Sequence, residues 1–590
     1  MIPCFHRASG DTMHFDLKIV GGTVVDGTGA TAFRADVGII GVQIAAVGLD
    51  LGPADQAIDA RGALVTPGFV DIHTHYDGQV SWDPQLAPSS VHGVTTCVMG
   101  SCGVGFAPVH VDDRATLIAL MEGVEDIPGS ALAEGIQWEW QTFAEYLDAL
   151  DRKPRTIDIG CHVPHDALRL WAMRERAVAG EPATAADLAT MEQELEAALR
   201  AGALGFSTGR TDNHRSTSGA PTPASEAATS ELVALASVLR KLDRGVAQVV
   251  SDFDMVAGSE PFDGEFDVIE AMAAAAFPRR TSISLMQRDG APDQWKRILA
   301  RATPASIHLQ VAPRGIGVLL GWGCTFHPFI GKPSYQAVAK LPFAEKIAAL
   351  RQPELRAKIL AEPNVPVTGD GSPIPPLVDK LLAALDFAVF RMFRMGAVPD
   401  YEAPMSASIG AQAMAQGIPA TAALYDALLE SDGTELIYFP IFNYGGFDLE
   451  AVREMMEHPL ALPGLSDGGA HVGTICDASF PTFYLTHWAR DREEGRWSVE
   501  RAIEFLTSRP ANFMGLADRG VVAVGKKADL NVIDHPNLRL HRPTLTHDLP
   551  AGGTRLLQAA EGYIATIVSG KIIRQNGAFT GELPGRLVRA

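Results

Sequence analysis

His73 and His75 close the apolar segment 65–75, VTPGFVDIHTH. On a strand, alternate side chains share a face, so the two imidazoles are expected to point the same way. Neutral imidazole suits Zn, Fe, Ni or Cu. A strand terminus would hold both nitrogens rigidly enough for metal bonds of about 2.0–2.1 Å. Much further along, PGLSDGGAH at 463–471 carries Asp467 into a glycine-rich turn. A carboxylate there either binds a metal and takes the proton of a water held by it, or closes an Asp-Gly turn with its own side chain. His92, His214, His327 and His487 stand in no motif and read as packing or solvent contacts.

These residues need elements to carry them. Residues 17–20, 23–25, 37–40 and 43–47 read as short strands separated by Gly-Gly, Asp-Gly and similar turns. The same texture returns at 520–522, 529–533 and 565–573. The two ends are therefore expected to meet in one small β-sandwich, 13–66 with 516–590, leaving 67–515 as the second unit. Residues before Met13 read as an extension without a signal-peptide core, broken by His6, Arg7, Gly10 and Asp11.

Between the ends, helices alternate with short apolar strands. In one legible unit, Thr184 caps a helix lined by Leu188, Met191, Leu195 and Leu199, Gly202 ends it, and 204–208 form a buried strand. Such alternation implies an α/β fold with a parallel sheet. A (β/α)8 TIM-type barrel is the leading candidate at this length; the periodicity alone leaves a doubly wound sheet open. Segments 121–140, 214–225 and 328–375 are rich in Pro, Gly and charge. They read as long loops or inserted helices that either shape the pocket or decorate the periphery.

Composition narrows the partners. The chain has 590 residues, 47% of them hydrophobic, and a net charge of −21. That charge argues against nucleic acid or an anionic membrane. Apolar runs such as 271–277 fall short of the about 18 residues of a membrane span. Six cysteines form no CxxC pair, as expected of free thiols in a reducing cytoplasm.

Several further segments complete a pattern: 93–108 (GVTTCVMGSCGVGFAP), 202–209 (GALGFSTG) and the return through 519–530 (RGVVAVGKKADL). With the N-terminal hairpins, PGFVDIHTHYD and GLSDGGAH, they resemble the amidohydrolase superfamily, and within it the N-acyl-D-amino-acid deacylase branch. The resemblance implies a (β/α)8 barrel with a β-sandwich from both termini. It also implies that His73 and His75 bind metal after the first barrel strand, and that Asp467 after the last strand binds metal and shuttles the proton. Cys102 matches the branch's cysteine ligand; the alternative is a small buried hydrophobe. His165, in CHVPHDALR, matches a family histidine that touches substrate or an oxyanion, or else makes a core hydrogen bond. His471 either orients Asp467 or lines the pocket.

The sequence also departs from that branch. Two further metal-binding histidines are expected near 245–252 and 281–288, and neither segment contains one. The lysine that pairs with the substrate carboxylate is missing from the second segment as well. Arg288 or Arg314 could substitute, and Asp252 could add a ligand. The reading that results is one divalent metal per chain, zinc by expectation, held by His73, His75, Cys102 and Asp467. It implies hydrolysis of an amide C–N bond in an N-acyl amino acid or related N-acyl amine by metal-activated water. The alternatives are a carbamate, lactone or cyclic amide hydrolase, or a non-catalytic ligand-binding homologue. A small-molecule substrate and a homo-oligomer are expected.

Overall fold

The computed structural model describes residues 13–253, 259–368, 374 and 377–590; the extension read before Met13 lies outside them. At its centre, eight parallel strands follow one another in chain order. They are β1 (Phe69–Asp71), β2 (Val94–Met99), β3 (Asp158–Pro164), β4 (Gly205–Arg210), β5 (Val246–Ser251), β6 (Thr281–Leu285), β7 (His308–Val311) and β8 (Ala461–Pro463). β1 and β8 form no ladder, and the seam closes just beyond them. There Thr74 bridges Gly468, the His75 N–H donates to the Gly468 carbonyl at 2.8 Å, and Ser466 Oγ donates to Asp71 at 2.5 Å. This is the (β/α)8 barrel rather than the doubly wound sheet.

The helix expected after Thr184 spans Ala185–Ala201, with Thr184 and Asp187 capping each other's backbone and Gly202 ending it at φ 110°. Only a residue free of a Cβ adopts that backbone cheaply.

The two chain ends form one nine-stranded sheet. Leu64–Pro67 pairs antiparallel with Leu530–Ile533, joining the N-terminal strands to the C-terminal ones. Leu17, Ile19, Val37, Val65, Val532 and Ile567 share its core. Three details differ from the sequence reading. Gly21-Gly22 makes no turn; it lies within a continuous strand, Phe15–Val24, whose register shifts between Ile19 and Gly22. That is a bulge, which accommodates glycine without ending the strand. Residues 520–522 are a bend and irregular chain rather than strand. The last residues leave the sheet: the Val588 N–H donates to the Ile159 carbonyl at 2.7 Å, alongside β3.

The apolar segment 65–75 also divides. Leu64–Pro67 belongs to the terminal sheet and Phe69–Asp71 to the barrel. Gly68 is the pivot, because a Cβ there would lie 2.2 Å from Thr95 Oγ1. The two sheets are locked by buried charge. Arg519 Nη1 and Lys527 Nζ reach the Asp158 carboxylate at 2.7 and 3.0 Å, and Lys527 also reaches Asp529 at 2.6 Å. This is the structural use of the RGVVAVGKKADL segment. Removing one partner of such a buried network typically costs about 3–5 kcal/mol.

Between β7 and β8 the chain inserts helices and a three-stranded antiparallel sheet, Ile316–Leu320, Phe393–Arg394 and Ile437–Phe442. The insertion has its own apolar cluster around Trp322, Phe329, Leu424 and Tyr425. Part of the stretch 328–375 is helical, at Pro333–Gln336, Phe343–Leu350 and Pro353–Ala361.

Candidate metal-binding active site

At the C-terminal mouth of the barrel, His73 Nε2 lies 3.2 Å from Cys102 Sγ and 3.3 Å from Asp467 Oδ1. His75 Nε2 lies 3.8 Å from the same Asp467 oxygen. One ligand atom each from His73, His75 and Cys102 falls within 4.8 Å of the others. A tetrahedral ion with bonds of about 2.0–2.3 Å has ligand-to-ligand edges of roughly 3.3–3.7 Å. Two nitrogens and one thiol at these spacings, with the Asp467 carboxylate beside both histidines, suit a divalent transition-metal ion such as zinc.

Both histidines lie just past the end of β1, not on it. Their extended path is kept by Thr74, whose N–H and Oγ1 both donate to the Val98 carbonyl, at 3.1 and 2.8 Å. Behind them, Gly469 runs at φ 90° and a Cβ there would meet the His75 carbonyl at 2.9 Å. The Asp-Gly-Gly turn is thus pressed onto the histidine backbone.

Cys102 sits in a short 3-10 turn with φ 59°, an uncommon backbone for a side-chain-bearing residue. Ser207 pins this turn: its hydroxyl donates to the Gly100 carbonyl at 2.5 Å and accepts the Gly103 N–H at 3.1 Å. Gly209 leaves room for it, since a Cβ there would fall 2.4 Å from the Cys102 carbonyl. The GFSTG segment is therefore the cradle of Cys102. The Cys102 N–H donates to Gln248 Oε1 at 2.9 Å.

Each imidazole is held from behind. The His73 Nδ1–H donates to Gln310 Oε1 at 2.6 Å, and Gln310 Nε2 donates in turn to Ser282 Oγ at 3.0 Å. That contact places the His73 lone pair on Nε2, facing Cys102 and Asp467. His75 Nδ1 lies 3.1 Å from Glu125 Oε1, while Glu125 Oε2 lies 3.5 Å from His471 Nε2.

Burial sets the protonation states. It pushes the Asp467 carboxyl up to about 7. It pulls His73 below the ordinary imidazole value and His75 well below it, with the charges of neighbouring histidines adding to the effect at His75. Both shifts favour the neutral ring that a ligand requires. The Cys102 thiol is pushed well above its usual value, by burial first and then by Glu125 and Asp467. A divalent cation at the site would reverse that shift.

Residues 56–574 match the profile of the amidohydrolase family. The chain belongs to that family. It is 29% identical to N-acyl-D-glutamate deacylase of Alcaligenes xylosoxydans xylosoxydans, over 88% of this chain and 87% of that protein. It is 37% identical to D-aminoacylase of the same organism over 204 residues, which span 34% of this chain and 39% of that enzyme. Among solved structures, D-aminoacylase, described as having a binuclear metal centre with one-metal activation and second-metal attenuation, superposes with a TM-score of 0.64 at 25% identity, covering 98% of this chain and 100% of that one. N-acyl-D-glutamate deacylase of Bordetella bronchiseptica, complexed with zinc and a phosphonate inhibitor, gives 0.63 at 25% identity with the same coverage.

The remaining candidates of this amidohydrolase lie around the cluster in different ways. His471 faces Glu125 with its side chain 26% exposed, and burial pulls its ring down to about 4. His165 uses both ring nitrogens, on Thr208 Oγ1 at 2.9 Å and Glu231 Oε1 at 2.8 Å. Its ring is therefore spent on a buried network with Arg169, and no nitrogen is left for an oxyanion. Arg288 donates to the Ser251 and Asp252 carbonyls at 2.9 and 2.8 Å, bracing the end of β5. Arg314 pairs with Asp477 at 3.0 Å and stacks 3.6 Å over the Tyr401 ring, fully buried. Asp252 accepts the Asp212 N–H at 2.7 Å. None of His165, Arg288, Arg314 and Asp252 joins the three-residue cluster.

The sequence reading missed Glu125 and Gln310. Gln310 had one available signal, a lone amide inside the apolar strand HLQV. Glu125 had none, since it is the last residue of the helix Arg114–Glu125 and stands in no spacing relation to the histidines. His214, read as a bystander, lies close enough to contribute to the depression of His75.

Proposed function

We propose that this amidohydrolase cleaves the amide C–N bond of an N-acyl amino acid or related N-acyl amine at a single divalent-metal centre, with zinc the expected ion. The observation that carries this is the convergence of His73, His75 and Cys102 at ligand spacing, with the Asp467 carboxylate 3.3 Å from His73 and 3.8 Å from His75. The one-metal activation described for D-aminoacylase supports a mononuclear centre. A divalent cation held there would make water acidic near neutral pH and polarise the carbonyl.

Asp467, 3.3 Å from His73 and 3.8 Å from His75, would accept the proton of water as its oxygen attacks the carbonyl carbon. The same group then returns the proton to the leaving nitrogen as the C–N bond breaks, giving a carboxylic acid and an amine. Gln310 keeps His73 in the tautomer that presents Nε2. His471 lines the mouth beside Asp467. His165 acts from behind, steadying Thr208 next to the Cys102 cradle, rather than on the oxyanion. Arg288 and Arg314 stay the candidates for substrate binding on charge alone, each already engaged with protein partners.

The lack of a lysine in 281–288 favours, as a second reading, a substrate without a free carboxylate, such as a cyclic amide or carbamate. Among the described residues no helix is long and apolar enough to cross a membrane. We take the chain to work as a cytoplasmic homo-oligomer on a small molecule, with 13–66 and 516–590 as one unit and 67–515 as the other.

The test is metal analysis of the purified protein together with a panel of N-acyl-D- and N-acyl-L-amino acids, N-acyl amines and cyclic amides. One ion per chain and turnover of an N-acyl compound are expected. No stoichiometric metal would overturn the reading in favour of a non-catalytic homologue, and two ions would overturn the mononuclear centre.

A further inference from the structure

We infer that Glu125 is a positioning residue of the metal centre: it holds His75 from Nδ1, so that Nε2 is presented to Cys102 and Asp467. The inference rests on the metal-centre reading above.

Glu125 is only 1% exposed. Among the described residues its ion-pair neighbours are two imidazoles, His75 at 3.1 Å and His471 at 3.5 Å; neither lysine nor arginine stands at that distance. A buried carboxylate with no fixed cation is an expensive way to fill space, and an amide or a leucine would pack there at lower cost. Its neighbours are therefore what account for it.

His75 has the complementary need. A histidine that ligates through Nε2 requires an acceptor at Nδ1 to set its tautomer and ring plane. Gln310 meets that need for His73. For His75, Nδ1 is buried with no aligned hydrogen bond, and so is Glu125 Oε2. The two groups stand at hydrogen-bond distance but off the bond axis, so a small rotation of the ring as Nε2 takes up a ligand would align Nδ1–H with Oε1.

The placement of Glu125 is secured by its backbone. The Glu125 carbonyl accepts the His471 N–H. The next residue, Asp126, ends the helix in the left-handed region at φ 51° and accepts Thr474 Oγ1 at 3.1 Å. The end of this helix is thus clasped to the loop that carries Asp467. Glu125 couples the ligand after β1 to the loop after β8 through a single side chain.

The experiment compares the full-length parent with Glu125→Leu, which keeps most of the packing and removes the acceptor, and with Glu125→Gln, whose amide oxygen can still accept from Nδ1 as Gln310 does for His73. All three proteins are stripped with a chelator and titrated with Zn2+ against a chromophoric competitor, and the thermal midpoint of each metal-free protein is recorded. Zinc affinity should fall by about 10–100-fold in Glu125→Leu, with a metal-free midpoint no lower than the parent's, and Glu125→Gln should recover part of that loss. Equal affinity in parent and Glu125→Leu would overturn the inference, as would an affinity loss accompanied by a matching fall of the metal-free midpoint. A parent that binds no zinc would instead overturn the metal-centre reading itself.

Discussion

Two arcs of the barrel mouth face each other with different chemistry. After β1, β2 and β8 come His73, His75, Cys102 and Asp467, all with metal-binding atoms. On β5, β6 and β7 the corresponding polar residues are Gln248, Ser282 and Gln310, two amides and a hydroxyl. The second arc is committed to supporting the first. Gln248 holds the Cys102 N–H, Gln310 holds His73, and Ser282 holds Gln310. An arc that lacks two expected histidines carries instead amides and a hydroxyl that hold His73 and the Cys102 backbone. The difference teaches that polar residues standing where histidines were expected can brace the opposite arc.

The largest expected effect tests the first arc. Asp467→Ala should lower turnover by about 10²–10⁴-fold while circular dichroism and thermal unfolding stay close to the parent's. Activity within tenfold of the parent would show that the arc does not carry the proton transfer. The second test sharpens the contrast by adding ligands to the other arc. Gln248→His combined with Ser282→His should raise the bound metal from one ion per chain to two, read by elemental analysis; a value still at one would mean that ligand chemistry is not what limits the second arc.

A smaller effect is expected from Gln310→Ala. Releasing His73 Nδ1 should weaken metal binding by about tenfold or more, measured by chelator competition. An unchanged affinity would remove Gln310 from the supporting layer.

The smallest effect lies behind both arcs, at Asp166. Burial raises its carboxyl from 3.8 to about 7. The folded state therefore binds this proton more tightly than the unfolded chain does. Its contribution to stability is fully present below the unfolded value, is lost as pH rises towards 7, and is level above that. Asp166→Asn should flatten the decline in metal-free stability between pH 5 and 7 by on the order of 1 kcal/mol per pH unit, read from urea unfolding. Parallel curves for variant and parent would contradict the burial of this group.

Much of this was legible in the sequence because it depends on local chain chemistry. The cap at Thr184 and stop at Gly202 act within one turn of their own helix, so residue type alone announces them. The glycines of GFSTG and SDGG were visible as a pattern, but their use was not. Gly209 matters because Cys102, 107 positions earlier, sends its carbonyl to within 2.4 Å of the Cβ it lacks. His165 illustrates the converse: the motif singled it out, yet its direction depends on Glu231 and Thr208, which no spacing rule connects to it.

By itself, then, the sequence determined the order of the elements, the family, and His73, His75 and Cys102 as residues with metal-binding atoms that the fold gathers. Those follow from residue type, short-range periodicity and motif order. Tertiary structure alone decided how the ligands are held and which candidates reach the site. Gln310 and Glu125 come from different elements, and barrel closure brings each to the back of one histidine. Imidazole geometry is set by what stands at the second nitrogen, and that neighbour is chosen by the fold across hundreds of residues, beyond the reach of any local pattern.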